Sequence, residues 1–344
     1  MGICISSASL EKNQETEEDH GNIVYLEDSL CSNGIPGLVS LYSKQGMKGP
    51  NQDSAILYQG FGMEEGVFCG VFDGHGRNGR IISKLVRDRL PQLILNQRNA
   101  FKSPETAGSC DYEDDKRSFK DGLVVSEKML YEWNEACNSA FKAMDKELKL
   151  LENLDCTCSG TTAVTIIHQG RDLVIANLGD SRALLGTITD EGFLTAVQLT
   201  TDLKPSLPQE AERIRQSNGR VFALKEEPNV QRVWLPYDDA PGLAMARSFG
   251  DFTLKNYGII ATPEITHHHL TCKDKFLVLA TDGVWDVLTN EQVVSIVWSV
   301  EKKEAAARTV VDAAVHAWKQ KFPSSKVDDC SVVCLFLQEK KHLI

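Results

Sequence analysis

Val67-Phe68-Cys69-Gly70-Val71-Phe72-Asp73-Gly74-His75-Gly76 sets a carboxylate at the end of an unbroken apolar run. The run predicts a buried strand. The glycines after Asp73 predict a tight turn that exposes a backbone carbonyl and a histidine. Hard divalent cations need that supply of oxygen ligands. The histidine could move protons near neutral pH. The pattern returns further along. Leu277-Val278-Leu279-Ala280-Thr281 runs straight into Asp282-Gly283, and Asp328-Asp329 opens another apolar run, Cys330 to Leu337. Strand ends that carry carboxylates in three distant segments suggest one metal site assembled from all of them.

At 344 residues the chain fits one large domain or two small ones and can bury a substantial core. A net charge of -11 argues against nucleic acid, whose phosphates call for basic patches. A phosphorylated substrate is still compatible, because a few metal ions in a cleft reverse the local field. The ten cysteines show no framework of spacings, and Cys156 and Cys158 are too close for a zinc knuckle. No secretory signal and no run long enough for a membrane-spanning helix are expected. The reading is a reducing cytosolic compartment with free, buried thiols.

Residues 1–36 are polar and acidic and are expected to form a flexible N-terminal arm, with the folded domain over residues 37–340. The stretch from Asn99 to Gly122 is similarly charged and is expected as a loop between two helices. Ile81, Ile82, Leu85, Val86 and Leu90 recur at helical spacing before Pro91, which should perturb the helix. Met129 to Leu151 predicts a second long helix. Strands are expected over Thr162 to His168, Asp172 to Leu178 and Arg182 to Leu185, with a turn at Gln169-Gly170-Arg171. Glu291 to Val300 and Glu304 to Gln320 predict amphipathic helices. This order is not regular β-α alternation. The expected class is α+β, with a mainly antiparallel β core and flanking helices.

Seven ordered motifs now carry a resemblance. They are Lys48-Gly49-Pro50-Asn51-Gln52-Asp53, Val71-Phe72-Asp73-Gly74-His75-Gly76, Ser159-Gly160-Thr161-Thr162-Ala163, Asn177-Leu178-Gly179-Asp180-Ser181-Arg182, Leu243 to Asp251, Ala280-Thr281-Asp282-Gly283-Val284-Trp285-Asp286, and Asp328-Asp329-Cys330-Ser331-Val332. Together they resemble the metal-dependent type 2C protein serine/threonine phosphatases, and plant members in particular. The resemblance covers residues 38 to 338. It implies a central β-sandwich of two antiparallel sheets with helices outside and a dinuclear metal cleft at one end.

It also implies roles, residue by residue. Asp73 would bridge two metal ions, and Gly74 would offer its carbonyl to one. Asp282 and Asp328 would ligate the other, and Asp53 would hold a water on the metal. Asp180 and Asp286 match positions linked to a third, weaker ion. The ions would be magnesium or manganese, given carboxylate, carbonyl and water ligands. Water activated by the metals would attack the phosphorus of phosphoserine or phosphothreonine. His75 would be the general acid for the leaving alkoxide.

Two departures stand out. Many members have an arginine on the substrate phosphate where this chain has Lys48, a point charge without the bidentate fork. The residue before Asp53 is commonly glutamate and here is Gln52. Asp328 and Asp329 leave open which of the two is the direct ligand. His267-His268-His269 cannot converge on a metal, since neighbours in a strand point to opposite faces. Trp285, Trp298 and Trp318 are expected in core or groove positions. The alternative to an active phosphatase is a catalytically weak module that binds phosphosites or docks a kinase. Expected partners are phosphorylated proteins, met by a monomer. The start, Met1-Gly2-Ile3-Cys4-Ile5-Ser6, matches the myristoylation pattern at Gly2. Cys4 would add a palmitoyl chain, which implies lipid anchoring at the cytoplasmic face of the plasma membrane.

Overall fold

The structure, a computed structural model, describes residues 21–27, 39–102 and 121–337. In chain order the elements are β1 (Ile23–Glu27), β2 (Val39–Lys44), β3 (Ser54–Gln59), β4 (Val67–Phe72), β5 (Gly74–His75), α1 (Gly79–Lys102) and α2 (Asp121–Lys149). Next come β6 (Gly160–Thr161), β7 (Ala163–Gln169), β8 (Asp172–Leu178), β9 (Arg182–Ile188), β10 (Leu194–Gln198), α3 (Pro208–Gln216), β11 (Arg220–Ala223), β12 (Gln231–Trp234), β13 (Pro241–Leu243) and β14 (Phe249–Gly250). The chain continues with α4 (Phe252–Lys255), β15 (Glu264–His269), β16 (Asp274–Ala280), α5 (Asp282–Trp285), α6 (Asn290–Ser299), α7 (Ala306–Lys321) and β17 (Cys330–Phe336).

Two large sheets face each other. One has the order β1-β3-β4-β7-β8-β15 and the other β10-β9-β16-β17-β2. All their pairings are antiparallel except β1 on β3. Ala55, Leu57, Val71 and Ile166 from the first sheet pack with Leu185, Leu277, Leu279 and Val333 from the second. Helices cover both outer faces. Ile56, Phe68 and Phe72 turn outward to α1 and α2, and Val278, Val332 and Cys334 turn outward to α5, α6 and α7. Each central strand is therefore buried on both faces. This is why β4 and β17 are unbroken apolar runs rather than the alternation expected of a sheet with one wet face. The expected antiparallel sandwich with outer helices is what the chain forms.

Several expectations need correction. Ile23–Glu27 falls inside the segment read as an N-terminal arm, yet it is a strand of the six-stranded sheet. Val24 and Leu26 pack toward the helices and Tyr25 toward the sandwich interior, enough apolar contact to order the segment. Helix α1 does not stop at Pro91 but continues to Lys102. Its buried face, Ile82, Val86, Leu90, Leu93 and Ile94, spans the proline, and that packing outweighs the one lost backbone hydrogen bond. Trp298 is 53% exposed, whereas Trp285 and Trp318 are buried as expected. A small sheet, β11-β12-β13, with its own apolar cluster around Ile214, Val233 and Leu243, was not foreseen. The described cysteines are free thiols.

Trp133 ties α2 to the sandwich. It is fully buried, donates from Nε1 to Gln169 Oε1 at 3.0 Å, and lies under the Arg98 guanidinium at 4.0 Å. Trp133→Ala is expected to lower stability by about 3–5 kcal/mol in urea unfolding, the usual range for emptying a buried aromatic site. A loss well under 1 kcal/mol would show that α2 is not anchored through this ring.

Candidate active site

Antiparallel pairing collects the carboxylates. Asp53 precedes β3 and Asp73 follows β4, and these strands pair with Ser54 opposite Phe72. Asp282 follows β16 and Asp328 precedes β17, and these pair with Ala280 opposite Val332. Ala280 is also opposite Arg182 in β9, which places the β8–β9 turn and Asp180 at the same end. Six distant aspartates, with Asp286 at the end of α5, thus share one rim of the sandwich.

The surrounding backbone is tightly fixed. The Thr281 hydroxyl donates across the two sheets to Asp53 Oδ2 at 2.7 Å. The Asp73 amide donates to Thr162 Oγ1 at 3.0 Å, and the Asp73 carbonyl accepts from Thr162 N at 2.9 Å and Thr161 Oγ1 at 3.0 Å. These bonds hold the residue by its main chain and leave its carboxylate for the cleft. Gly74 has no room for a side chain: a Cβ would lie 2.5 Å from Gly79 O and 2.6 Å from Gln52 O.

The cluster is electrostatically crowded. Burial first, and then the charges of Asp282, Asp53, Asp328 and Asp180, push Asp73 well above the ordinary carboxylate range. Burial, followed by Asp180, Asp328 and Asp286, does the same to Asp282. Burial and the charges of Asp329 and Asp328 raise Asp53, against the opposing hydrogen bond from Thr281. Two lysines offset part of this charge. Lys48, on the exposed rim, pairs with Asp328. Lys204 lies between Asp180 and Asp286, at 3.8 and 3.7 Å. Among the described residues, no three acidic, histidine or cysteine side chains converge closely enough to hold an ion unaided.

The structure also separates residues that the sequence left together. Asp329 turns away: its carboxylate accepts from Gly46 N and Gln52 N, both at 2.8 Å. Asp328 is the one facing Lys48, Asp73 and Asp282. The Gln52 amide donates to Gly76 O at 2.8 Å, bracing the turn after Asp73 rather than facing the carboxylates. His268 pairs with Asp274 and His269 with Asp172, so the histidine run is spread over separate partners. Gly2 and Cys4 lie outside the described residues.

His75 sits beside the cluster. Its Nε2 donates to Asp251 Oδ2 at 2.7 Å, and its Nδ1 is buried with no hydrogen-bond partner among the described residues. Burial pulls the imidazole down, but the Asp251 charge and hydrogen bond outweigh it, so the net shift is upward. Asp251 and Ser248 lie within a quoted motif yet received no role, and Thr281 and Lys204 were also missed. Thr281 was open to inference, because it immediately precedes Asp282 at a strand end. The Ser248–Asp251 contact spans only three residues, whereas the pairing of Asp251 with His75 and of Lys204 with Asp180 and Asp286 joins separate segments and is not read from spacing.

Burial, with the Asp202 and Asp286 charges, pushes Asp180 up to about 6 despite Lys204 nearby. A carboxyl raised on folding stabilises the fold fully below its unfolded value, and that contribution disappears as pH rises through the folded value. In buffer stripped of divalent cations, Asp180→Asn should therefore melt above the parent protein at pH 7.5. The gap should shrink by pH 5. Equal melting temperatures at pH 7.5 would show that the buried charge carries no penalty.

Comparison with known proteins identifies the family and the fold. The family model described as protein phosphatase 2C matches residues 38–320, and β17 completes the second sheet just beyond it. The chain is 56% identical over 361 residues to probable protein phosphatase 2C 12 of Oryza sativa subsp. japonica, covering 98% of this chain and 92% of that one. It is 50% identical over 348 residues to probable protein phosphatase 2C 72 of Arabidopsis thaliana, covering 99% of each. Among solved structures it is similar to a serine-threonine phosphatase 2C from Toxoplasma gondii, with a TM-score of 0.76 at 24% identity over 89% of this chain and 96% of that one, a likeness of fold. The chain belongs to the protein phosphatase 2C family of serine/threonine phosphatases.

Proposed function

We propose that this phosphatase hydrolyses phosphoserine and phosphothreonine at the carboxylate-lined rim, using magnesium or manganese held there. The carrying observation is the crowding itself: Asp53, Asp73, Asp180, Asp282 and Asp286 are all pushed upward by burial and by the charge of neighbouring aspartates. Such a set fits a hard divalent cation. It offers carboxylate oxygens, the buried Asp180 Oδ1 has no hydrogen-bond partner among the described residues, and at Gly74 the chain passes so close to Gly79 O and Gln52 O that no Cβ would fit. Asp73 would be shared by two ions, with the Gly74 carbonyl on one and Asp282 and Asp328 on the other. Asp180 and Asp286 would hold a third, weaker one. Bound magnesium or manganese supplies Lewis acidity toward the phosphoryl oxygens and the attacking water.

The chain's own residues supply the rest. Asp53, oriented by Thr281, would accept a hydrogen bond from water in the cleft. Lys48 sits on the exposed rim, where its ammonium can meet the substrate phosphate by leaving Asp328. The serine or threonine alkoxide is a poor leaving group and needs a proton. His75 would deliver it, a contribution typically worth roughly 100- to 10,000-fold. Asp329 acts on the loops, clasping the Gly46 and Gln52 amides so that Lys48 and Asp53 keep their places.

Chelation should abolish hydrolysis of phosphothreonine peptides, and added manganese or magnesium should restore it. Asp73→Asn and Asp282→Asn should each lower kcat by roughly 100- to 1,000-fold, the scale of losing one stabiliser of developing charge. Full activity in either variant, or in excess chelator, would overturn the proposal.

We also propose that Gly2 is myristoylated and Cys4 palmitoylated. One acyl chain binds membrane only marginally, and Glu11, Glu15, Glu17, Glu18 and Asp19 would be repelled by anionic lipid, so a second chain is required for stable anchoring. Gly2→Ala should move the protein from the membrane fraction to the soluble one. A parent protein that is soluble, with no mass added at Gly2, would sink this reading and leave the catalytic one intact.

A further inference from the structure

We infer that Asp251 is a positioning residue for His75, reaching it through a gap that Gly160 leaves open. The inference rests on the proposed proton-delivering role of His75.

The strands β5, β6 and β14 form a small sheet of their own, ordered β14-β6-β5. In it His75 is opposite Gly160, and Gly160 is opposite Gly250. The middle residue of that row has no side chain. A Cβ on Gly160 would lie 2.5 Å from Asp251 Oδ2 and 2.9 Å from His75 Nε2. The imidazole and carboxylate meet across the space this glycine vacates, at 2.7 Å.

Asp251 is itself held from several sides. It is 1% exposed. Its φ of 51° is left-handed, a conformation uncommon for a residue with a Cβ and better tolerated by aspartate than by most. Its amide donates to Ser159 O at 3.0 Å, and the Ser248 hydroxyl donates to Oδ2 at 2.6 Å. Helix α2 clamps the loop as well. Asp145 accepts from Gly250 N at 3.0 Å and pairs with Lys255, whose Nζ donates to Ser248 O at 2.7 Å. A carboxylate fixed this firmly fixes the ring it binds.

The bond also selects the reacting nitrogen. Nε2–H is committed to Asp251, and Nδ1 has no partner among the described residues. When the ester P–O bond breaks, its electron pair stays on the serine or threonine oxygen. That oxygen takes the proton from Nδ1, while the attacking water passes one proton through Asp53 to solvent as its oxygen bonds to phosphorus. His75 keeps its Nε2 proton on Asp251 throughout and regains the other from solvent.

The test compares His75→Ala, Asp251→Asn, Ser248→Ala and the double variant His75→Ala/Asp251→Asn in the full chain with manganese. The substrates are a phosphothreonine peptide and an aryl phosphate, whose phenolate leaves with little help from an acid. Asp251→Asn should cut kcat on the peptide by roughly 10- to 100-fold, the scale of a misplaced reacting group, with less than about a threefold change on the aryl ester and an unchanged KM. The double variant should be no slower than His75→Ala. Ser248→Ala should show the same split at smaller size, and it decides the matter if Asp251→Asn does not fold. Equal losses on both substrates, or losses that multiply in the double variant, would overturn the inference. If His75→Ala itself shows no dependence on the leaving group, the general-acid reading falls and takes the inference with it. If His75→Ala shows the dependence and neither Asp251→Asn nor Ser248→Ala does, only the role of Asp251 falls.

Discussion

Carboxylates that repel one another are held together at one rim because the strands carrying them have no freedom to separate. Asp53 and Asp73 flank a paired couple of strands in one sheet, and Asp282 and Asp328 flank a paired couple in the other. The two sheets are locked face to face by side chains such as Leu57, Val71, Leu279 and Val333. Apolar burial of this extent, at about 25 cal/mol per Å², supplies the force that keeps like charges close. The Thr281–Asp53 hydrogen bond then bridges the sheets within the carboxylate cluster. Lys48 and Lys204 remove part of the excess charge, each from a position open enough to be displaced.

The double burial of each central strand explains both what was legible in the sequence and what was not. Runs such as Val67–Phe72 and Cys330–Phe336 lack alternation because one set of side chains faces the opposite sheet and the other faces helices. An apolar run that ends in a carboxylate was therefore recognisable without any partner being known. Element boundaries set by long-range contact were less accessible. Ile23–Glu27 is flanked by polar sequence, and its parallel partner β3 lies some thirty residues further on. Pro91 carries a local signal for stopping a helix, and only the packing of Leu90, Leu93 and Ile94 on the neighbouring elements explains why the helix continues. The strands of the small β11-β12-β13 sheet are short and mostly half-buried, so their pattern is weak.

The candidate site divides in the same way. Asp73 and Asp282 could be picked out because each sits at a strand end beside a turn, whereas Asp53 was reached only through the family resemblance. The choice between Asp328 and Asp329 could not be made from spacing, since adjacent residues differ only in which way the backbone turns them. Here the Gly46 and Gln52 amides draw the Asp329 carboxylate inward to the loop. Gln52 was a visible departure, but its consequence was hidden: its amide braces Gly76 O, a task that needs a donor and that a glutamate could not perform when ionised. In this chain the residue before Asp53 therefore supports the catalytic turn mechanically.

Crowded carboxylates couple folding to cations. Groups driven above their ordinary pKa weaken the fold while they remain ionised and uncompensated. A cation bound to the folded rim and not to the unfolded chain restores that stability, by an amount that grows with the logarithm of its free concentration. The proposed metals would thus act on the fold as well as on the phosphate ester. The imidazole shares part of that support: Gly74 and His75 form β5, and the Thr161 hydroxyl of the strand beside it donates to the Asp73 carbonyl. A shift of the Asp73 turn is therefore expected to reach His75, and Asp251, held by Ser248 on a loop that Asp145 of α2 clamps, opposes displacement of the ring.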